Sequence, residues 1–228
     1  MADGGLVARC EVVLVGTANP ENLGGVARLA ENFAPARLAL VAPRARPDDA
    51  RALVVGRVGR ERLAAARVCA TLDEALREAA FVVAFSARRG ASRPPVALHE
   101  LAALLDARAP SSRIALVFGP EDAGLAAADI DRCDVVCAID LPGALPSLNL
   151  AQAVAIALWE LARPRSTAPP SRAQATRAQA TRAELDALVA RIASATPDER
   201  VQLRRLMAAA ALTPADVRML HGLINRSG

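Results

Sequence analysis

The chain is poor in side chains that many enzymes and nucleic-acid-binding proteins use. Aromatic residues make up 2% of its 228 residues, and Tyr is absent. Proteins that bind single strands by base stacking need such rings, so RNA recognition here would depend on shape and backbone instead. The two histidines, His99 and His221, stand far apart and away from any acid and nucleophile pattern. This leaves no histidine-based triad to propose and favours a structural role for each.

Two common enzyme signatures are also missing. There is no Gly-x-Gly-x-x-Gly after the first predicted strand and no Gly-x4-Gly-Lys-Ser/Thr, which disfavours a dehydrogenase and an ATPase. The four cysteines form no Cys-x-x-Cys pair and lie in or beside apolar runs: Cys10, Cys69, Cys133 and Cys137. We therefore expect buried, reduced thiols and no metal site.

Long apolar runs and an N-terminal signal pattern are absent from the sequence, so we expect a cytoplasmic protein without a membrane segment. The net charge is +4, carried mainly by Arg. This charge suits a polyanionic partner, but a composition biased toward Ala and Arg would produce it as well. Only the positions of the arginines can decide between the two explanations.

Short, continuously apolar segments alternate with segments of helical periodicity, which predicts an α/β fold with a parallel sheet flanked by helices. Continuous apolar character indicates strands buried on both faces. The predicted strands lie near 10–16, 37–42, 67–70, 81–86, 114–118 and 135–139, and the predicted helices near 22–33, 48–55, 72–80, 98–108 and 148–161.

The chain changes character after this domain, which we place at 1–163. Residues 164–182 are rich in Pro, Ser, Thr, Ala and Arg and contain a five-residue repeat, as expected of a basic flexible linker. Its arginines would serve either as an RNA-facing strap or as a solvated tether. Residues 183–228 predict a small helical extension, with helix starts at Thr196-Pro197 and Thr213-Pro214.

Two polar, glycine-containing loops follow predicted strands, the position where parallel α/β proteins bind ligands. The first is Asn-x-x-Asn-x-Gly-x-x-x-Arg at 19–28, and the second is Phe-Gly-x-Glu-x-x-Gly-Leu at 118–125. Ile-x-Leu-Pro at 139–142 and Ser-Leu-Asn-Leu-x-x-Ala at 147–153 come next. In the first loop, helix amides and Arg28 would face an anion, or Arg28 would simply be solvated.

The order and spacing of these segments resemble the three signature motifs of the SpoU (TrmH-like) branch of the SPOUT RNA 2′-O-methyltransferases. Within that branch the sequence is most similar to the TrmJ family, which methylates a tRNA ribose at position 32 of the anticodon loop. The resemblance implies a deep trefoil knot in the C-terminal part of the α/β domain, an exception to the rule against knotted chains. It also implies a homodimer in which both subunits complete the site.

By this resemblance the cofactor is S-adenosyl-L-methionine, bound without a metal between three loops. The implied cofactor-binding residues are Ser86, Ala87, Arg88, Phe118, Gly119, Pro120, Glu121, Gly124, Ile139, Leu141, Ser147 and Leu148. The implied catalytic residues are Arg28, Ser147 and Asn149, and the implied RNA contacts are Asn19, Asn22, Arg28, Arg88, Arg89 and Arg93. Apolar side chains and backbone amides suit adenine, and Gly119 and Gly124 leave room for close approach.

Structural explanations remain open for several of these residues. Asn149, with Gln152 three residues later, fits a helix cap, and Glu121 fits a solvated turn. For the whole chain, the leading expectation is a tRNA ribose 2′-O-methyltransferase. An rRNA methyltransferase of the same superfamily and a non-catalytic RNA-binding protein are the alternatives.

Overall fold

A seven-stranded sheet with every strand pair parallel forms the centre of the protein. This computed structural model describes residues 5–86, 95–145, 147–164, 179–191, 197–210 and 212–224. The strands are β1 (Cys10–Val15), β2 (Arg37–Val41), β3 (Arg67–Cys69), β4 (Phe81–Phe85), β5 (Val96–Ala97), β6 (Ile114–Phe118) and β7 (Val135–Ala138). Their order in the sheet is β3-β2-β1-β6-β4-β7-β5.

The predicted parallel sheet is confirmed, and all six predicted strands are present. The three central strands, β1, β6 and β4, are buried almost throughout, which explains their mainly apolar sequences. The exception is Glu11 of β1, which is buried and pairs with Arg67 at 2.8 Å. The sequence does not predict strand β5, because two residues are too few to give an apolar pattern.

Ten α-helices lie in the described ranges. They are α1 (Pro20–Phe33), α2 (Ala50–Val55), α3 (Arg60–Ala64), α4 (Leu72–Leu76), α5 (Leu98–Arg108), α6 (Ala127–Asp131), α7 (Leu150–Ala162), α8 (Arg182–Arg191), α9 (Pro197–Ala209) and α10 (Pro214–Ile224). Helices α1, α5 and α7 cover one face of the sheet, and α4 and α6 cover the other. Side chains alternate along each strand, so Val12 and Leu14 face the first layer and Val13 faces the second.

Helix α1 approaches its neighbours almost backbone to backbone. A Cβ atom added to Gly24 would lie 2.3 Å from the carbonyl oxygen of Ala52 in α2, and one added to Gly59 would lie 2.3 Å from that of Ala27. Gly59 belongs to a 3₁₀ turn at Arg57–Gly59, in which the Arg57 side chain points to solvent. The glycines therefore fix the position of α1, which carries the first signature motif.

The C-terminal helices α8 to α10 form a separate small core around Leu185, Leu188 and Val217. The amide of Arg182 donates to the carbonyl of Ala79, just before β4. Its guanidinium pairs with Asp134, just before β7, at 3.5 Å, with side-chain exposures of 6% and 7%. The helical extension is therefore docked at the amino edge of the sheet, away from the strand ends where the signature loops lie.

Most of the predicted linker, residues 165–178, lies outside the described residues. At its end the structure differs from the prediction, because Arg182 begins α8 and its side chain is buried. It can therefore be neither a solvated tether nor an RNA contact. At the other end, Arg163 pairs with Glu160 at 2.9 Å.

Among the residues that the structure describes, no helix is both long and apolar enough to cross a membrane. Within the same ranges, no three His, Cys, Asp or Glu side chains converge as metal ligands would.

We predict that Gly24→Ala destabilises the protein, because the added methyl group meets the α2 backbone. Overpacking of this kind costs about 1–3 kcal/mol, whereas helix propensity alone would favour Ala by up to about 1 kcal/mol. The free energy of unfolding, measured by urea denaturation, shows whether the variant is less stable than the parent. The control is Gly143→Ala, since a Cβ there meets nothing within 4 Å. A Gly24→Ala variant as stable as the parent would contradict the close approach.

Candidate active site

The carboxyl ends of four adjacent strands, β1, β6, β4 and β7, bring the signature loops together at one edge of the sheet. A cavity of about 290 Å³ lies there, between the ends of β4, β6 and β7 and the start of α7. Phe85 and Phe118 form part of its floor, with their rings stacked at a centroid distance of 4.5 Å. The other lining residues are Ser86, Gly119, Pro120, Glu121, Asp122, Ala123, Gly124, Cys137, Ile139, Leu141, Ser147, Leu148, Leu150 and Ala153. A cavity of this size, lined by both apolar and polar groups, suits a small organic ligand.

The Glu121 carboxylate joins the loop after β6 to the loop after β1. Oε2 accepts a hydrogen bond from the amide of Ala18 at 3.1 Å, and Oε1 accepts one from the amide of Asn19 at 3.3 Å. Oε1 also accepts a hydrogen bond from Nδ2 of Asn22 at 2.6 Å. Glu121 is therefore more than a solvated turn residue, because it holds together two loops that follow neighbouring strands.

Asn22 extends this connection to the start of α7. Its Oδ1 accepts a hydrogen bond from Nδ2 of Asn149 at 2.8 Å, and its side chain is largely buried. The other end of the Asn149 amide caps α7, with Oδ1 accepting from the amides of Ala151 and Gln152 at 2.9 and 3.4 Å. The predicted helix cap is confirmed. Glu121, Asn22 and Asn149 thus form one hydrogen-bonded chain, named here the Glu-Asn-Asn chain.

The Glu-Asn-Asn chain also determines the charge of Glu121. Partial burial alone would raise the pKa of this carboxyl group, but hydrogen bonds from Asn22, Ala18 and Asn19 outweigh burial and lower the pKa. Donors that point at a carboxylate favour its charged form. Glu121 is therefore ionised at neutral pH, which keeps it an acceptor for all three donors.

The neighbouring carboxylate, Asp122, contacts a different loop. Arg44, which follows β2, donates from Nη1 to Oδ2 at 3.0 Å and from Nη2 to Oδ1 at 2.9 Å. Nε of the same guanidinium donates to the carbonyl of Gly16, after β1, at 2.9 Å. The hydrogen bond from Arg44 lowers the pKa of Asp122. Arg44 therefore contacts the loops after β1 and β6 at once.

The two glycines of the loop after β6 serve different purposes. A Cβ on Gly119 would lie 2.3 Å from the amide nitrogen of Leu125, so the space beside Gly119 is filled by the loop itself and not by a ligand. Gly124 has φ of +65°, and a Cβ added to it would meet nothing within 4 Å. Its backbone conformation, which favours glycine, turns the chain beside the cavity.

One thiol lies in the cavity wall. Burial, with a smaller contribution from the nearby Asp140, raises the pKa of Cys137 to about 12. Because the thiolate is the nucleophilic form, Cys137 contributes volume and not reactivity. All four cysteines are free and buried, as the sequence predicts.

The structure brings most of the predicted cofactor residues to the cavity. Ten of them line it: Ser86, Phe118, Gly119, Pro120, Glu121, Gly124, Ile139, Leu141, Ser147 and Leu148. Four further site residues, Ala87, Arg88, Arg89 and Arg93, lie outside the described residues. Arg28 is exposed on α1 and does not line the cavity.

The two asparagines expected to contact RNA both have hydrogen-bond partners within the protein. Asn19 caps α1 by accepting a hydrogen bond from the amide of Glu21 at 2.9 Å. Asn22 is 5% exposed, and both ends of its amide are hydrogen-bonded within the protein. Because Asn22 is buried and bonded at both ends, it is a link between loops within the protein. Sequence reasoning missed the Arg44–Asp122 pair, for which the one signal is that each residue follows a strand.

Comparison with known proteins agrees with this geometry. The model of the SpoU rRNA Methylase family matches residues 9–159, which contain the sheet, the cavity and the Glu-Asn-Asn chain. The chain belongs to the SpoU methylase family. Its cavity therefore lies in the domain that defines these methylases.

Individual SpoU methylases show how far the similarity extends. The tRNA (cytidine/uridine/adenosine-2′-O-)-methyltransferase TrmJ of Pseudomonas aeruginosa is 38% identical over 159 residues, which cover 68% of this chain and 61% of that protein. TrmJ from Z. mobilis ZM4 superposes with a TM-score of 0.77 at 26% identity, over 95% of this chain and 98% of that one. An AdoMet-bound rRNA methyltransferase from Sinorhizobium meliloti superposes with a TM-score of 0.52 at 25% identity, over 67% of this chain and 55% of that one.

We predict that Glu121→Gln lowers stability by about 1 kcal/mol at neutral pH, because an amide cannot accept from all three donors. The folded-state pKa of Glu121 lies below its ordinary value of 4.5. The advantage of the parent is therefore fully present above that value and is lost as the pH falls through the folded-state pKa. Thermal melting of parent and variant between neutral and acidic pH measures the difference.

The matched control is Glu100→Gln, at an exposed position of α5. It removes only a charge in the first turn of α5, so its loss of stability at neutral pH should be smaller than that of Glu121→Gln. If the loss of stability in Glu121→Gln were the same at acidic pH as at neutral pH, the charge of the Glu121 carboxylate would not be its cause.

Proposed function

We propose that this protein is an S-adenosyl-L-methionine-dependent tRNA ribose 2′-O-methyltransferase that modifies position 32 of the anticodon loop. The observation that carries this function is the Glu-Asn-Asn chain, which joins the first and last signature loops beside the cavity. The TrmJ relatives, named for tRNA 2′-O-methylation, support the choice of tRNA.

The cavity residues fit S-adenosyl-L-methionine. Ile139, Leu141 and Leu148 offer apolar surface to an adenine ring, and the loops around them present backbone groups for its polar edge. No phosphate-binding loop is required, since this molecule carries no phosphate. The AdoMet-bound rRNA methyltransferase is a structural relative with the same ligand. When bound, the cofactor supplies an electrophilic methyl group on a sulfonium sulfur.

The protein's own task is then to orient the ribose oxygen and to stabilise its developing negative charge. Ser147 lines the cavity, and Asn149 stands two residues later at the cap of α7. We assign both to the reacting end of the cavity. We assign Arg28 to the 2′-hydroxyl or its neighbouring phosphate, as an orienting and electrostatic group, because a guanidinium almost never gives up its proton. Arg88, Arg89 and Arg93 remain proposed phosphate contacts.

We further propose a homodimer. Trp159 and Ile156 of α7 are 63% and 36% exposed, and their spacing of three residues places them on one helical face. Trp is enriched in protein interfaces relative to the rest of the surface, so an exposed Trp159 beside Ile156 suits an interface. Helix α7 packs against α1, the helix that carries Arg28. A site completed by both subunits would account for an Arg28 that does not line the cavity of its own subunit.

Two further features belong to the proposal. The chain between β6 and α7 would thread the trefoil knot, and the strand order, with β6 between β1 and β4, is compatible with it. The location would be cytoplasmic, because the cysteines are free and buried, as in proteins of reducing compartments.

The decisive experiment incubates the full chain with methyl-labelled S-adenosylmethionine and unmodified tRNA, and maps the labelled ribose. We expect label at position 32 with the parent, and a large loss of turnover with Arg28→Ala while calorimetric cofactor binding is kept. The control is Arg77→Ala, an exposed arginine before β4. An Arg28→Ala variant as active as the parent would refute the role of Arg28.

The same assay separates the alternatives. Label in ribosomal RNA but not in tRNA would favour an rRNA methyltransferase. Tight, salt-dependent tRNA binding without methyl transfer or cofactor affinity would favour a non-catalytic RNA-binding protein.

We predict that Trp159→Glu converts a dimer into monomers, because a carboxylate cannot be buried unpaired in an apolar interface. Light scattering during gel filtration measures the mass, and methylation should fall with dimer content. Leu206→Glu is the matched control, since Leu206 of α9 is 68% exposed and lies outside α7. A Trp159→Glu protein that stays dimeric would place the interface elsewhere.

A further inference from the structure

The Arg44–Asp122 ion pair connects the cofactor cavity to a part of the protein that does not line it. Asp122 stands in the cavity wall, in the loop after β6. Arg44 lies in the loop after β2, a strand separated from β6 by β1. The pair therefore bridges two loops whose strands are not neighbours.

The guanidinium of Arg44 is fully oriented by its contacts. Two of its nitrogens hold both oxygens of Asp122 at 2.9 to 3.0 Å, and Nε is held by the carbonyl of Gly16. The backbone is fixed as well, because the amides of Arg44 and Ala45 both donate to the carbonyl of Thr17 at 2.9 Å. A planar guanidinium that donates two parallel hydrogen bonds to a carboxylate fixes the orientation of that carboxylate as well as balancing its charge.

Glu121 and Asp122 attach the loop after β6 to two different parts of the protein. Glu121 fastens it to the amides of the loop after β1, and Asp122 fastens it to the arginine after β2. If Arg44 were removed, the Asp122 side of the loop would lose this attachment, and the cavity wall that it forms would lose a fixed position. Removing Arg44 would also leave the negative charge of Asp122 without its cationic partner, next to the negative charge of Glu121.

A second ion pair in the same loop provides the comparison. Arg46 pairs with Asp48, at 2.7 Å, two residues away, with side-chain exposures of 81% and 66%. This pair connects a loop only to itself. For Arg44 and Asp122 the exposures are 51% and 61%, so both pairs are on the surface. Surface pairs add little to stability, and any special effect of Arg44 must come from what it connects.

We propose that Arg44 is a positioning residue for the methyl donor: through Asp122 it holds the cavity wall formed by the loop after β6 in its binding geometry. Arg44 does not touch the cofactor and does not act on the reacting atoms. This inference rests on the proposed function, since it concerns affinity for S-adenosylmethionine.

The test is a double-mutant cycle read by calorimetry, with S-adenosylmethionine and its demethylated product titrated into the full chain. Arg44→Ala should weaken binding about fivefold, the low end of couplings between sites. In the Asp122→Ala background the same change should have a much smaller effect, because the partner in the cavity wall is already gone and only the hydrogen bond to Gly16 is left to lose. Arg44→Lys should fall between parent and Arg44→Ala, since an ammonium restores charge but not the bidentate geometry.

Stability and kinetics separate positioning from general damage. Arg46→Ala should bind the donor like the parent, and all variants should melt within a few degrees of it. In methylation assays Arg44→Ala should raise KM for the donor with little change in kcat. Equal donor affinity in parent and Arg44→Ala, or an undiminished effect of Arg44→Ala in the Asp122→Ala background, would overturn the inference alone. A parent that binds neither ligand would overturn the proposed function and this inference with it.

Discussion

The Glu121 carboxylate accepts hydrogen bonds from two backbone amides and one side-chain amide, and through them it joins two loops that are far apart in the sequence. The contact with Asn22 matters most, because Asn22 passes the constraint on to Asn149 at the cap of α7. A carboxylate is the one side-chain group that accepts from all these donors at once without presenting a donor of its own. Without it, the Asn22 amide that connects the start of α1 to the start of α7 would lose the acceptor that orients it.

The sheet makes this convergence possible. In a parallel sheet all carboxyl ends meet at one edge, so loops after β1, β6, β4 and β7 are neighbours although the sequence separates them. The glycine contacts of α1 with α2 and with the turn at Arg57–Gly59 then fix the axis of α1. The first signature loop thus serves packing with Gly24, loop connection with Asn22, and, as proposed, substrate with Arg28.

The sequence predicts six of the seven strands because each lies in a mainly apolar run, and it predicts the cavity residues because the motifs that carry them have fixed order and spacing. It missed α3, α6 and β5, which are too short to show a period. It does not show that Gly119 packs against its own loop or that Asn22 links two loops. Such roles depend on which atoms are neighbours in space, as does the Arg44–Asp122 pair, whose members lie 78 positions apart.

Two adjacent ionised carboxylates beside a site for a polyanion need a physical explanation, since RNA phosphates would be repelled by them. The two carboxylates have different partners. Asp122 has a cationic partner in Arg44, so its charge is compensated locally. Glu121 is held by neutral amide donors, which stabilise its charge but do not cancel it. In the proposed complex, the sulfonium of the cofactor and the exposed Arg28 would be the positive charges that offset Glu121 and the RNA phosphates. This proposed charge balance is consistent with an electrostatic role for Arg28 and does not require Arg28 to act as a base.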